Sequence, residues 1–300
     1  MAEELTGWRP LDSSRGINSD ALPSRLMFGF FKRRRQHRRE AIRARPFPAG
    51  WRDVLARKFP FFSRLTEVDQ RELEGHVQVF LAEKNFEGCG GFEMTDEARV
   101  LIAAQACLLL LHRETDCYPK LRTILVYPDT YVAKTRWNER DEEDDRSSRA
   151  RLGESWDRGV VVLAWSSAVA GAANIHDGMN VVFHEFAHQL DQEYGAADGL
   201  PPLQCEGAKA CYFRYTTWAR VLGAEFEALR RQREKGRKTV LDQYGATNAA
   251  EFFAVATECF FEKPLQMKKK HPELYEELKE FYRQDPVNFH PTPAAITGAG

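Results

Sequence analysis

The chain has 300 residues, of which 43% are hydrophobic and 29% charged, and its formal net charge at pH 7 is −1. This length is sufficient to bury a sizeable core without disulfides or metal ions as staples. The near-neutral charge argues against direct nucleic-acid binding by the chain as a whole. No apolar run reaches the roughly 18 residues that a membrane-spanning helix needs. The composition therefore indicates a globular protein and excludes the fibrous and wholly disordered classes.

The amino-terminal segment 1–45 differs from the rest of the chain. A short apolar stretch at 26–31 is followed by residues 32–45, which carry eight basic side chains and one acid, a local charge of +7. Charge runs of this kind are usually solvated, so we predict a basic, flexible arm over 1–45. Basic residues beside an apolar stretch also allow weak contact of 26–45 with an anionic membrane. The apolar stretch precedes the charges, which is the reverse of a secretory signal.

Ordered structure is predicted over residues 46–290, with a flexible tail over 291–300. In the first part of this domain, 46–120, apolar residues recur at helical spacing from Trp51 to Phe80. The segment Glu97–Leu111 is rich in Ala and Leu and is typical of a buried helix. We therefore expect this part to be helical.

The second part of the domain, 121–290, contains short strands as well as helices. Buried strands are predicted at Thr123–Tyr127, which Pro128 ends, and at 159–165, where a run of valines occurs. Between them, residues 138–151 are polar, and 139–145 carry a charge of −5. This segment is predicted to be a loop.

The cysteines give no sign of a disulfide scaffold or a zinc ribbon. No CxxC pair occurs, and the six residues are scattered: Cys89, Cys107, Cys117, Cys205, Cys211 and Cys259. We therefore expect free thiols in a reducing compartment and a cytoplasmic protein.

Residues 181–191, VVFHEFAHQLD, contain the pattern HExxH. On a helix, His184 and His188 lie one turn apart on the same face, so their imidazoles can bind one metal ion, for which zinc is well suited. Glu185 lies beside the first histidine, where it can take a proton from water at the metal. The helix also carries an apolar stripe that would seat it in a core: Phe183, Ala187 and Leu190.

A catalytic zinc needs a third protein ligand. The extended metzincin pattern fails, because Asp191 and Tyr194 stand where it requires Gly and His. The apolar segment 249–262 offers Glu251 and Glu258, seven residues apart on one helical face. Acids are costly to bury there unless they are paired or metal-bound, and the spacing leaves both open as ligands. Asp191 or Glu258 could instead accept the second ring hydrogen of a ligand histidine.

Several segments together resemble the Mlc titration factor A family of bacterial zinc-dependent peptidases. The resemblance covers roughly residues 46–290 and rests on these stretches: Pro-Phe-Pro at 46–48, ILVYP at 124–128, GVVVLAW at 159–165, VVFHEFAHQLD at 181–191, GAADG at 195–199 and YGATNAAEFFAV at 244–255. The combination of HExxH with the EFFAV segment is its most specific part.

The resemblance implies a site and a fold. It implies one Zn²⁺ held by His184, His188 and Glu251, with Glu185 as the general base and Tyr244 as a donor to the oxyanion. It also implies an α+β fold of the zincin type, mostly helical, with a small mixed sheet beside the HExxH helix. The activity implied is hydrolysis of peptides or proteins, with aminopeptidase-like character, and the partner implied is a transcriptional repressor of the Mlc type.

Two hypotheses of different class follow for this chain. In the first it is a zinc metallopeptidase. In the second it is a regulatory binding protein that sequesters a transcription factor, with a mainly structural zinc site. The presence of Glu185 favours the first, because a binding protein needs no general base.

Overall fold

The computed structural model describes residues 22–129, 159–193 and 195–290, with side chains from residue 33 onward. Several predicted features lie outside these ranges: the segment 1–21, the apolar side chains at 26–31, the polar loop 138–151, Tyr194 and the tail 291–300. Among the described residues, every helix is too short or too polar to cross a membrane.

The amino-terminal half of the described chain is mainly helical, as predicted. Its helices are α1 (Leu22–Arg43), α2 (Ala49–Lys58), α3 (Pro60–Arg64), α4 (Glu67–Glu83) and α5 (Asp96–Leu108). The hydroxyl of Thr95 caps α5 by accepting from the Ala98 amide, which sets where that helix begins. The apolar residues up to Leu111 stay buried after α5 has ended in a turn.

The described part of the basic segment is a helix that is partly packed, unlike the solvated arm that its charge favours. Arg39 and Ile42, three residues apart on α1, are both buried. The Arg39 guanidinium donates to both carboxylate oxygens of Glu83 at 2.8 and 2.7 Å and to the carbonyl of Asp116 at 2.8 Å. This forked ion pair attaches α1 to α4. The domain boundaries at 45 and 290 remain predictions.

The sheet has three strands in the order β1 (Asn85–Gly88), β2 (Thr123–Tyr127) and β3 (Val160–Ala164). Both predicted strands are confirmed, although Trp165 already belongs to the next helix. All described pairings are parallel, so the mixed sheet that we expected is not seen among them. Helix α5 lies between β1 and β2 in the chain, and such a crossover brings the second strand in parallel to the first.

The carboxyl-terminal half is again helical and contains both segments predicted to carry chemistry. Its helices are α6 (Trp165–Ala173), α7 (Val181–Asp191), α8 (Ala208–Glu234), α9 (Ala249–Glu262), α10 (Pro264–Lys270) and α11 (Pro272–Tyr282). Short 3₁₀ turns lie at Gln243–Ala246 and Pro286–Phe289. The bounds of α7 and α9 coincide with the HExxH segment and the Glu-rich apolar segment.

One hydrophobic core seats α7. Its predicted stripe is confirmed, because three of its side chains have no exposed surface: Phe183, Ala187 and Leu190. The Phe183 ring packs on Phe61 from the amino-terminal half and on Phe261 from α9, with ring centroids 5.9 and 5.3 Å apart. Helix α7 is thus held between the two halves of the fold.

The expectation of free thiols is wrong for two of the six cysteines. Cys205 and Cys211 form a disulfide, with their Cα atoms 5.2 Å apart. Gly207, at φ 81°, turns the chain between them so that Cys211, in the first turn of α8, comes back to Cys205. Three further cysteines are buried outside this bridge: Cys107, Cys117 and Cys259.

We expect Cys211→Ser to lower the free energy of unfolding by about 2 kcal/mol in oxidising buffer, because the closed loop restricts the unfolded chain. Urea unfolding with and without dithiothreitol measures this, and reductant should remove the difference between wild type and variant. Cys89→Ser, at a cysteine outside the Cys205–Cys211 bridge, is the control. A wild-type stability that does not respond to reductant would contradict the prediction.

Candidate metal centre

Asn180 is the N-cap of helix α7, and its side chain fixes the start of the HExxH segment. Its Oδ1 accepts from the amides of Val182 and Phe183 at 3.1 and 3.0 Å, and the residue is fully buried. This N-cap satisfies two amides that a helix start leaves without partners. The regular helix that follows places His184 and His188 one turn apart on the same face.

Helix α9 supplies the third donor. It begins after Asn248, whose side chain accepts from the Glu251 amide at 2.9 Å. Glu251 is therefore in the first turn of α9, which packs directly against α7. The structure brings Glu251 to His184 and His188, as predicted from the resemblance.

Three donor atoms meet at one point between the two helices. Nε2 of His184 lies 3.0 Å from Oε2 of Glu251 and 3.3 Å from Nε2 of His188. Nε2 of His188 lies 3.5 Å from Oε2 of Glu251. Ligands at about 2.0–2.1 Å from a tetrahedral zinc are separated by about 3.3 Å. The donor set and its spacing therefore fit a zinc ion.

The electrostatics of the cluster also favour a cation. Burial lowers the pKa of His184, but hydrogen bonds with Glu251 and Glu258 outweigh burial and raise that pKa to about 10. Burial raises the pKa of Glu251, but hydrogen bonds with His184 and His188 dominate and lower it to about 2. Positive charge is thus stabilised where the donors meet, and a divalent ion bound there would take the place of the protons.

The two residues predicted to act in catalysis both lie near the donors. Glu185 follows His184 on α7, is partly exposed and is not one of the three converging donors. Tyr244 lies in the 3₁₀ turn before α9, where Asp242 accepts from its amide at 2.7 Å. Its ring centroid is 6.0 Å from that of His184, and the residue is 47% exposed. Tyr244 is therefore accessible from solvent beside the donors.

The structure places Glu251 and Glu258, both of which the spacing allowed as ligands, at different nitrogens of His184. Glu258 Oε1 lies 2.7 Å from Nδ1 of His184, on the side of the ring away from the other donors, and its Oε2 accepts from the Asn180 amide at 2.5 Å. Glu258 therefore contacts the outer nitrogen of His184 rather than the point where the three donors meet. Sequence reasoning did not single out Asn180, although an Asn directly before an apolar helix is a typical N-cap signal.

Asp191 has a different partner from the one considered for it. Its Oδ2 accepts from the Gly199 amide at 2.7 Å, and burial raises the pKa of Asp191 to about 8. Gly199, at φ 79°, also offers its carbonyl to the indole N–H of Trp218 at 2.9 Å. Gly199 thus links Asp191 at the end of α7 to Trp218 on α8.

The sequence matches the profile of the family described as glucose-regulated metallo-peptidase M90 over residues 31–283. The chain belongs to this family. Membership in M90 makes it a metallopeptidase-type protein and agrees with a metal ion at the cluster of histidines and glutamate.

Relatives of this M90 chain among curated proteins support its family membership. An uncharacterized protein of Synechocystis sp. is 41% identical over 251 residues, which are 83% of this chain and 89% of the relative. Mlc titration factor A of Serratia proteamaculans is 31% identical over 242 residues, 80% of this chain and 88% of the relative. The protein of the same name from Escherichia fergusonii is 29% identical over 250 residues, 79% and 86% of the two chains. The resemblance found in the sequence is confirmed.

A second group of donors in this M90 chain is accounted for by direct contacts. Nε2 of His112 lies 2.8 Å from Asp69 Oδ1, and the His112 amide donates to Glu72 at 2.8 Å. The other ring nitrogen contacts the carbonyl of Arg283 at 3.1 Å. These contacts link α4 to the chain after α11.

Proposed function

We propose that this protein is a zinc-dependent metallopeptidase with a zincin-like site, in which His184, His188 and Glu251 hold one Zn²⁺. The observation that carries the proposal is the meeting of three donor atoms 3.0–3.5 Å apart, with Glu185 on the same helix. Two imidazoles and one carboxylate are a set that catalytic zinc takes, and they leave a position for substrate.

The side chains around the donors have separate roles in this proposal. Zinc, when bound, supplies a Lewis acid that polarises the scissile carbonyl and makes water acidic. The carboxylate of Glu185 takes a proton from the attacking water and passes it to the leaving amine. The exposed phenol of Tyr244 donates a hydrogen bond to the oxyanion that develops at the carbonyl.

Substrate would be aligned by the outer strand of the sheet. β3 is the last strand in the described order, and it contacts α7. No described strand pairs with its outer edge, so the backbone groups there can pair with an extended peptide as an additional strand, which would bring the peptide past the HExxH helix. This mode fits a peptide or unfolded protein segment as substrate and is compatible with aminopeptidase-like cleavage.

Binding of an Mlc-type transcriptional repressor is a second candidate function. It is favoured by relatives about 30% identical to this chain that carry the name Mlc titration factor A. The two functions are compatible. A Glu185 variant separates them, since repressor binding does not require a general base.

Metal analysis combined with peptide hydrolysis tests the peptidase proposal. We expect purified wild-type protein to contain about one zinc per chain, as three converging donors hold one ion. A strong chelator should abolish cleavage of a mixed peptide library, and added Zn²⁺ should restore it. Protein that neither contains nor takes up zinc would refute the proposal, and so would cleavage that persists after the metal is removed.

A further inference from the structure

The carboxylate of Glu258 is buried between helices α7 and α9 and has two contacts that the catalytic roles above do not use. We propose that Glu258 is a positioning residue, which fixes both the ring of His184 and the start of α7 so that the donors meet at the spacing that zinc needs. The inference rests on the proposed zinc site.

The first contact sets the tautomer of His184. Oε1 of Glu258 lies 2.7 Å from Nδ1, so the ring donates its Nδ1 hydrogen to the carboxylate. The lone pair of the neutral ring is then on Nε2, the atom that faces Glu251 and His188. A carboxylate behind a ligand histidine also holds the ring plane and increases its basicity.

The second contact sets the backbone from which His184 projects. Oε2 of Glu258 accepts from the Asn180 amide at 2.5 Å. The Asn180 carbonyl in turn accepts from the His184 amide at 2.9 Å, within the first turn of α7. One carboxylate therefore holds the ring of His184 and the backbone turn that carries it.

The spacing of α9 explains how it holds one imidazole from both sides. Glu251 and Glu258 are two turns apart on the same face of this helix. Glu251 approaches Nε2 of His184, while Glu258 approaches Nδ1. With a carboxylate beside each nitrogen, neither rotation nor flipping of the ring preserves both contacts.

The variant Glu258→Gln removes this arrangement with little change in volume. An amide has only one acceptor oxygen, whereas the Nδ1–H of His184 and the N–H of Asn180 are two donors. One of them must then face an NH₂ group without an acceptor, which is costly in a buried site. The ring of His184 becomes mobile or takes the wrong tautomer.

Glu262 provides a matched control one turn further along α9. It is buried like Glu258, and its Oε2 accepts from the amide of Met179, the residue before Asn180. Neither oxygen of Glu262 contacts His184 in the structure. Glu262→Gln therefore makes the same chemical change in the same helix without touching the ligand.

The experiment measures zinc affinity by competition with a chelator for wild type, Glu258→Gln and Glu262→Gln, after checking each metal-free protein by thermal unfolding. We expect Glu258→Gln to bind zinc about 10–100-fold more weakly and Glu262→Gln to bind as wild type does. Equal affinity of wild type and Glu258→Gln would overturn this inference alone. A wild type that binds no zinc would overturn the proposed function, and this inference with it.

A measurement on the wild type keeps the test sharp if Glu258→Gln does not fold. Long-range ¹H–¹⁵N NMR of the zinc-loaded full chain reports which ring nitrogen of His184 carries the proton. The proposal requires a proton on Nδ1 that exchanges slowly with water. A ring protonated at Nε2, or one whose Nδ1 proton exchanges freely, would contradict it.

Discussion

Replacement of Glu185 by Gln is expected to lower kcat/KM for peptide hydrolysis by about 10²–10⁴-fold, which is the usual contribution of a general base. Gln has nearly the volume of Glu but cannot accept a proton from water at neutral pH. Glu185 is not among the three donors that converge, so the variant should retain about one zinc per chain. Turnover and metal content are measured on the same preparation.

The control for this variant is the same change at a glutamate outside the site. Glu225→Gln is suitable, because this partly buried carboxylate contacts His271 rather than the donor cluster. It should leave hydrolysis and zinc content near wild type. Turnover that survives Glu185→Gln would mean that another group accepts the proton, even if the zinc site itself is right.

Replacement of Glu251 by Ala is expected to remove the third donor and to weaken zinc binding by more than about 100-fold. This loss exceeds the one expected when a residue that only contacts a metal-binding histidine is replaced. The helix start should persist, because Asn248 caps α9 through the Glu251 backbone amide, which the variant keeps. Wild type should gain about 2.7 kcal/mol of stability at zinc concentrations 100 times its dissociation constant. The variant should gain almost none at that concentration.

Thermal unfolding at increasing Zn²⁺ and competition with a chelator both measure this loss. Glu258→Ala is the informative comparison, since it removes a carboxylate from the same face of the same helix. We expect Glu251→Ala to weaken zinc binding more than Glu258→Ala does. The reverse order would show that Glu258 is the ligand and that the donor assignment is wrong.

Local sequence patterns were sufficient to predict the elements that carry the site. The HExxH segment 181–191 and the apolar segment 249–262 coincide with α7 and α9, and the two predicted strands match β2 and β3 to within a residue at each end. HExxH predicted a pair of histidines on one face because helical geometry alone decides that relation. Such features depend on neighbours in the chain, which the sequence displays directly.

Features that depend on distant contacts were predicted less well. The basic charge of α1 predicted a solvated segment, but Arg39 is buried. Its guanidinium donates to the carboxylate of Glu83 and the carbonyl of Asp116, which come from other parts of the chain. The disulfide was missed because the spacing of Cys205 and Cys211 in the sequence does not show whether the chain folds back between them. The turn at Gly207 brings the two cysteines together. The parallel pairing of the strands likewise depends on how the chain crosses over between them.

The sequence by itself determined that two histidines and Glu185 lie on one helix and that a second helix offers glutamates two turns apart. It could not decide their roles, because residues seven apart on a helix share a face whatever that face packs against. Only the packing of α9 on α7 decided this, since it places Glu251 at Nε2 of His184 and Glu258 at Nδ1. The tertiary structure thus distinguished Glu251, a candidate metal donor, from Glu258, which contacts the outer nitrogen of His184.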